Sequence, residues 1–211
     1  MYKIIYLILI VVILFSYKIM ENFFKRFFPK LVNHQLWESI GYYFWGLLLL
    51  IVYFIVTPDD YIIKSPINNK IGIVFLLCFI ISTIFVCIGN QNVYYPHKDN
   101  KLKCFHYGVI QPTFEEVAFR GLILPMTIYL LGDHAIMIIL LNGVIFMLFH
   151  LNYWSLEKKY RSMFLNFLII GLLFIYMTLV TQSIVYSILC HIIVNGGNTL
   201  YRNWKDKNMD K

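Results

Sequence analysis

SMFLNFLIIGLLFIYMTLVTQSIVYSILCHIIVNGGNTL, residues 162–200, contains no Asp, Glu, Lys or Arg. The run is 39 residues long, and a helix needs only about 20 apolar residues to cross the hydrocarbon core of a bilayer. It therefore predicts two spans, and the polar trio Thr181, Gln182 and Ser183 is the natural place for the chain to turn. The whole chain of 211 residues carries the same signature: 60% of its residues are hydrophobic and 14% charged. Soluble domains have roughly 45–50% and 25%. Mean hydropathy is +0.69. So much apolar surface cannot be hidden in water, and the composition predicts an integral membrane protein. A disordered chain, a disulfide-stapled secreted domain and a cytosolic enzyme are excluded.

Outward from this run, the charges mark further spans. The first apolar run is Ile4 to about Tyr17, between Lys3 and Lys18, extending toward Met20 if Lys18 snorkels. Phe15, Ser16, Tyr17 and Lys18 stand where a signal peptide would have small residues, so a retained anchor is expected. A second span lies within Ser39–Pro58, a third runs from Ile71 to near Asn92, and a fifth covers about His134–Trp154. The fourth, Tyr107–Leu131, contains Glu115, Glu116 and Arg120. With the final pair the fold class is all-α, a polytopic transmembrane helix bundle of about seven spans.

Lys and Arg outside the spans fall three on one side and fourteen on the other. The positive-inside rule then predicts an N-terminus outside and a C-terminus in the cytoplasm. Basic residues scattered between apolar runs suit anionic lipid, so the net charge of +7 implies the bilayer as partner and no nucleic acid. Cys78, Cys87, Cys104 and Cys190 lack metal-ligand spacing and are read as small buried hydrophobes. The segment 21–38, ENFFKRFFPKLVNHQLWE, is read as a connector that could lie in the interface. His134 at a span end, and His34, His97 and His106 in loops, are expected in solvent.

Ionisable groups inside spans are costly and usually functional. Here they are Glu115, Glu116 and Arg120 in the fourth span, His150 in the fifth and His191 in the seventh, with Asn195 one turn on. At 1.5 Å per residue, Glu115 lies roughly 12 Å from the cytoplasmic end, His150 roughly 6 Å, His191 about 16 Å and Asn195 about 10 Å. Three helices thus bring a glutamate pair, two imidazoles and an amide to comparable depth. Glu116 and Arg120 are i,i+4 and can pair. Glu115 has no cation at that spacing and is left for chemistry. A glutamate and a histidine can deprotonate a water, and a second histidine with an asparagine can serve an oxyanion. The same groups also occur as interhelical glue, as Asn142, Asn166 and Thr178 are read here.

Glu115-Glu116-Val-Ala-Phe-Arg120-Gly121 resembles the EExxxRG motif of the CPBP family, which includes CAAX prenyl proteases and bacteriocin-processing enzymes. Phe146 with His150 resembles its FxxxH motif, and His191 with Asn195 its HxxxN motif, in the family's order. The resemblance covers roughly residues 105–202. It divides the chain into N-terminal transmembrane helices and loops (1–104), a CPBP/CAAX-protease-like catalytic core (105–202) and a cytoplasmic tail (203–211). It implies an intramembrane endopeptidase with its site facing the cytoplasm. By resemblance, Glu115 is the general base and His150 its partner on the water. His191 and Asn195 stabilise the oxyanion, while Glu116, Arg120 and Phe146 support the site.

No cofactor is required by this reading. A Zn²⁺ on Glu115, His150 and His191 stays open, although HExxH is absent and such a ligand set would consume the base. Metal-free chemistry is the favoured expectation. The implied substrate is a membrane-delivered peptide or protein. Compact length and short loops look like a bacterial member in the plasma membrane. A non-catalytic scaffold or bacteriocin self-immunity factor of the same fold is the alternative. A transporter would show inverted repeats, which are not seen.

Overall fold

In lipid a backbone has no water to bond, so each apolar run must close its hydrogen bonds within itself, and a helix does so. A computed structural model of the chain describes residues 2–27, 37–56, 69–89, 104–150 and 161–209. Among these residues the structure is all-helical, with no strand. In chain order the helices are α1 (Tyr2–Phe27), α2 (Trp37–Val56), α3 (Lys70–Gly89), the composite α4 (from His106 to Leu131), α5 (Ala135–Phe149), α6 (Arg161–Thr181) and α7 (Ile184–Met209). Every expected span has its helix. By length and composition α1, α3 and α6 can each cross a membrane, whereas α2 and α5 contain shorter apolar stretches.

Several boundaries differ from expectation. α1 runs to Phe27, with Lys18 bonded to Glu21 at 2.7 Å on its own surface, so part of the expected connector is helix. Trp37 and Glu38 of that connector begin α2, while its residues 28–36, which include His34, lie outside the described residues, as does His97. α7 continues past Arg202 to Met209. The turn between α6 and α7 falls at Gln182 and Ser183, as expected, with Gln182 at φ 52°.

α4 is the centre of the bundle and touches α1, α2, α5 and α7. It alternates register: π-helix at His106–Ile110, α-helix at Gln111–Glu116, π-helix at Val117–Ile123, then α-helix at Leu124–Leu131. Proline explains both changes. Pro112 and Pro125 each stand second in an α segment. A proline has no N–H, and its ring crowds the carbonyl four residues back. In both cases that carbonyl belongs to a glycine, Gly108 or Gly121. The helix widens instead of breaking. Gln111 N–H reaches His106 O, and Leu124 N–H reaches Phe119 O, each five residues back.

Small residues let neighbouring helices close in. A Cβ on Gly108 would lie 3.2 Å from the Cα of Gly196 on α7. One on Gly171 of α6 would lie 3.0 Å from the Phe146 ring and 3.5 Å from the Cα of Gly143 on α5. Trp45 of α2 is fully buried, donates to Ser16 Oγ of α1 at 2.7 Å and stacks on Phe149. Leu7, Phe15, Val74 and Phe85, by contrast, stand exposed on α1 and α3, as lipid-facing side chains do.

Two readings of small polar residues are corrected. Cys87 and Cys190 are buried, but Cys78 is exposed on α3 and Cys104 only half-buried. Asn142 does join helices, donating to Thr127 Oγ1 at 2.7 Å. Thr178 instead bonds Phe174 O in its own helix, and Asn166 is exposed.

Candidate active site

The π segment Val117–Ile123 follows directly on Glu115 and Glu116, and the pair sits where the bundle is tightest: Glu115 is 1% exposed, Glu116 0% and Arg120 1%. Bare charges at that depth would be expensive, so each carboxylate should have partners. Arg120 Nη1 donates to Glu116 Oε1 at 3.2 Å. Its Nε is also 3.2 Å from Glu116 Oε2, an ion pair without hydrogen-bond alignment. Nη2 donates to the Gly171 carbonyl at 3.1 Å. The guanidinium lies 4.5 Å from the Phe146 ring centre and 5.3 Å from that of Phe174. A carboxylate, a carbonyl and aromatic faces hold the guanidinium, while its Nε has no aligned acceptor among the described residues.

Glu116 has a second partner. His191 Nδ1 lies 2.8 Å from its Oε1. A carboxylate there requires a proton on Nδ1. His150 Nδ1 is 2.8 Å from the Phe146 carbonyl one turn back in α5, which likewise requires Nδ1–H. Each neutral ring therefore presents an unprotonated Nε2. Both Nε2 atoms face the same oxygen, Glu115 Oε2, at 3.8 Å from His191 and 4.0 Å from His150. These separations exceed a direct hydrogen bond. The other oxygen, Oε1, accepts from Gln111 Nε2 at 2.8 Å.

Aromatic packing fixes the imidazoles. The His150 ring stacks on Phe167 of α6 with centroids 3.9 Å apart and planes 20° from parallel. Phe146 meets it edge-on at 4.7 Å. His191 packs against Phe174 at 5.3 Å. Phe146, expected to support the site, thus bounds both Arg120 and His150.

The structure brings Glu115, Glu116, Arg120, Phe146, His150 and His191 together. Asn195 lies one turn below His191 on α7, and its amide is directed to the Tyr107 carbonyl through a long 3.5 Å bond. His106 departs from expectation. It is buried, edge-on to Tyr42 and Tyr43, with no hydrogen-bond partner for Nδ1 among the described residues. Its place near the start of α4, packed against Tyr42 and Tyr43 of α2, accounts for this. His134 is exposed as expected. Sequence reasoning passed over Gln111 and Phe167. Gln111 stands i,i+4 from Glu115, the same spacing that marked Glu116 and Arg120, so it was findable. Phe167 had no signal in a run rich in aromatics.

Two nitrogens and a carboxylate oxygen are the right donor types for zinc. Among the described residues, however, no group of three His, Cys, Asp or Glu is arranged to hold a metal ion.

An all-helical membrane bundle with a glutamate and two imidazoles buried at its centre defines the class. Residues 99–197 match the family model Rce1-like, described as type II CAAX prenyl endopeptidase Rce1-like, and the chain carries a domain of that family. At family level this match supports a CAAX-type intramembrane endopeptidase. Glu115, Glu116, Arg120, Phe146, His150, His191 and Asn195 all fall within the matched residues. No curated protein and no solved structure matches the chain.

Proposed function

We propose that the chain hydrolyses a peptide bond in a membrane-delivered peptide or protein, with Glu115 as the base of a metal-free mechanism and the site open to the cytoplasm of a bacterial cell. One observation carries this reading: Glu115 Oε2 faces two imidazole nitrogens at 3.8 and 4.0 Å, while the neighbouring Glu116 is paired with Arg120.

A water between Oε2 and His150 Nε2 gives one proton to Glu115 as its oxygen attacks the scissile carbonyl carbon. The carbonyl π pair moves to oxygen, and the resulting oxyanion takes hydrogen bonds from His191 and the Asn195 amide. For this role His191 must enter the step already protonated on Nε2, with a proton taken from solvent before substrate binds and kept through the reaction, while Glu116 Oε1 receives Nδ1–H at 2.8 Å. Collapse breaks the C–N bond, and the proton held by Glu115 passes to the leaving amine. Asn195 must turn from Tyr107 toward the substrate for this role.

The test uses purified protein in lipid vesicles with quenched-fluorescent CAAX peptides, farnesylated on cysteine and unmodified. Glu115→Ala and His150→Ala each should lower the rate by at least about a hundredfold at unchanged yield, and a chelator should leave the parent rate intact. Full activity in either variant would sink the reading. Glu115→Gln keeps shape and hydrogen bonding, so a functional Glu115→Gln protein would mark a scaffold.

A further inference from the structure

Glu115 is a symmetric carboxylate on a soft terminal torsion, and nothing in its own chemistry decides which oxygen meets the imidazoles. The surroundings decide it. Gln111 Nε2 donates to Oε1 at 2.8 Å, and Oε2 is the oxygen that faces His150 and His191. A carboxylate only accepts, so the amide must present its NH₂ there.

Gln111 is itself held on its backbone. Its N–H bonds His106 O in the π register, and its carbonyl accepts from the Tyr42 hydroxyl of α2 at 3.1 Å. Pro112 follows it and fixes the change from π to α register. The donor is therefore built on a backbone determined by two helices, one turn before the base. The residue as a whole is half-buried, and its amide end meets the carboxylate.

We infer that Gln111 is a positioning residue for the reaction: it ties down Glu115 Oε1 and so assigns proton abstraction to Oε2. This rests on the proposal that Glu115 is the base. Tying one oxygen removes the rotation that would exchange the two, and keeps the other aimed at the water's site. Gln111 acts through Glu115 and takes no part in the proton transfers itself.

Gln111→Leu keeps bulk and removes the donor. Gln111→Asn keeps the amide but is one methylene short of the carboxylate. Both go into the same vesicles with the same quenched-fluorescent peptides, and both are also followed by infrared difference spectroscopy without substrate. The Glu115 carboxyl band is identified as the one removed by Glu115→Gln. Expected are a shifted Glu115 band in both Gln111 variants, a kcat lower by about ten- to a hundredfold and KM as in the parent, with a lower melting temperature because Glu115 loses its buried donor. An unshifted band in Gln111→Leu overturns the inference, and so does a kcat within twofold of the parent. A kcat loss accompanied by a raised KM or by loss of monodisperse protein also overturns it, as a structural effect. If Glu115→Gln cleaves normally while the band still shifts with Gln111, it is the base assignment that fails and the hydrogen bond that stands.

Discussion

Glu116 serves two cationic or polar partners at once, Arg120 through both carboxylate oxygens and His191 through Oε1. Removing Arg120 leaves Glu116 with His191 alone and also frees the Gly171 carbonyl and a space between Phe146 and Phe174. Breaking a buried pair from one side costs about 3–5 kcal/mol. Arg120→Ala should therefore lower detergent-stable monodisperse yield and cleavage together. Glu116→Gln with Arg120→Met strands no charge and should recover yield over Arg120→Ala. If Arg120→Ala keeps full yield and loses only activity, Arg120 belongs with the reacting groups instead. The i,i+4 spacing makes this pair legible in the amino-acid sequence alone. The same spacing joins Gln111 to Glu115, but a search for ionisable groups in lipid passes over an amide. The direction of Asn195 is not legible in the sequence at all, because it depends on how closely Gly108 lets α7 approach α4.

The α6–α7 turn is an element whose place was readable and whose strain was not. Three polar residues in a charge-free run mark a reversal, and Ser183 Oγ accepts from Val185 N–H at 3.3 Å at the start of α7. Nothing in their identity shows that Gln182 takes φ 52°. An L-residue in that region carries roughly 1–2 kcal/mol of steric cost that glycine avoids. Glycine also has more freedom to lose on folding. The net effect of Gln182→Gly should be a gain of up to about 1 kcal/mol, or about 2–4 °C in a thermal melt of the detergent-solubilised protein. A lower melting temperature would show that the Gln182 side chain holds the turn. α4 teaches the opposite lesson. Its prolines were visible, but proline inside a helix reads as a kink or a stop. That two glycines four residues back convert each into a wider turn is a matter of register, which composition does not reveal.

Across the molecule, charge-free length located the helices well, because lipid leaves a backbone few alternatives. It could not tell which helices are central. α4 and α7 carry four of the buried ionisable groups of the site, and the bundle encloses those side chains: Glu115, Glu116, Arg120 and His191 are buried, while Ile4, Phe15 and Phe85 on α1 and α3 are exposed. Burial of His106 belongs to this scale too, since it follows from α2 lying over the start of α4. The widened turns of α4 have a consequence for heredity. A π turn is what a helix becomes when it takes in one extra residue and keeps its far end in phase. Single-residue deletions, usually ruinous in a helix because everything beyond rotates by about 100°, should be absorbed where such a turn exists. Deleting Leu122, with Pro125→Ala so that no proline ring then crowds the Arg120 carbonyl, leaves the Glu116–Arg120 spacing and the Thr127–Asn142 bond in place. That variant should insert and purify as a monodisperse protein. Deleting Val144 from the regular helix α5 should not, because it swings His150 off the site. Equal yields from the two deletions would show that α4 has no such reserve. Unequal yields would make this helix the part of the chain where length itself can vary between generations.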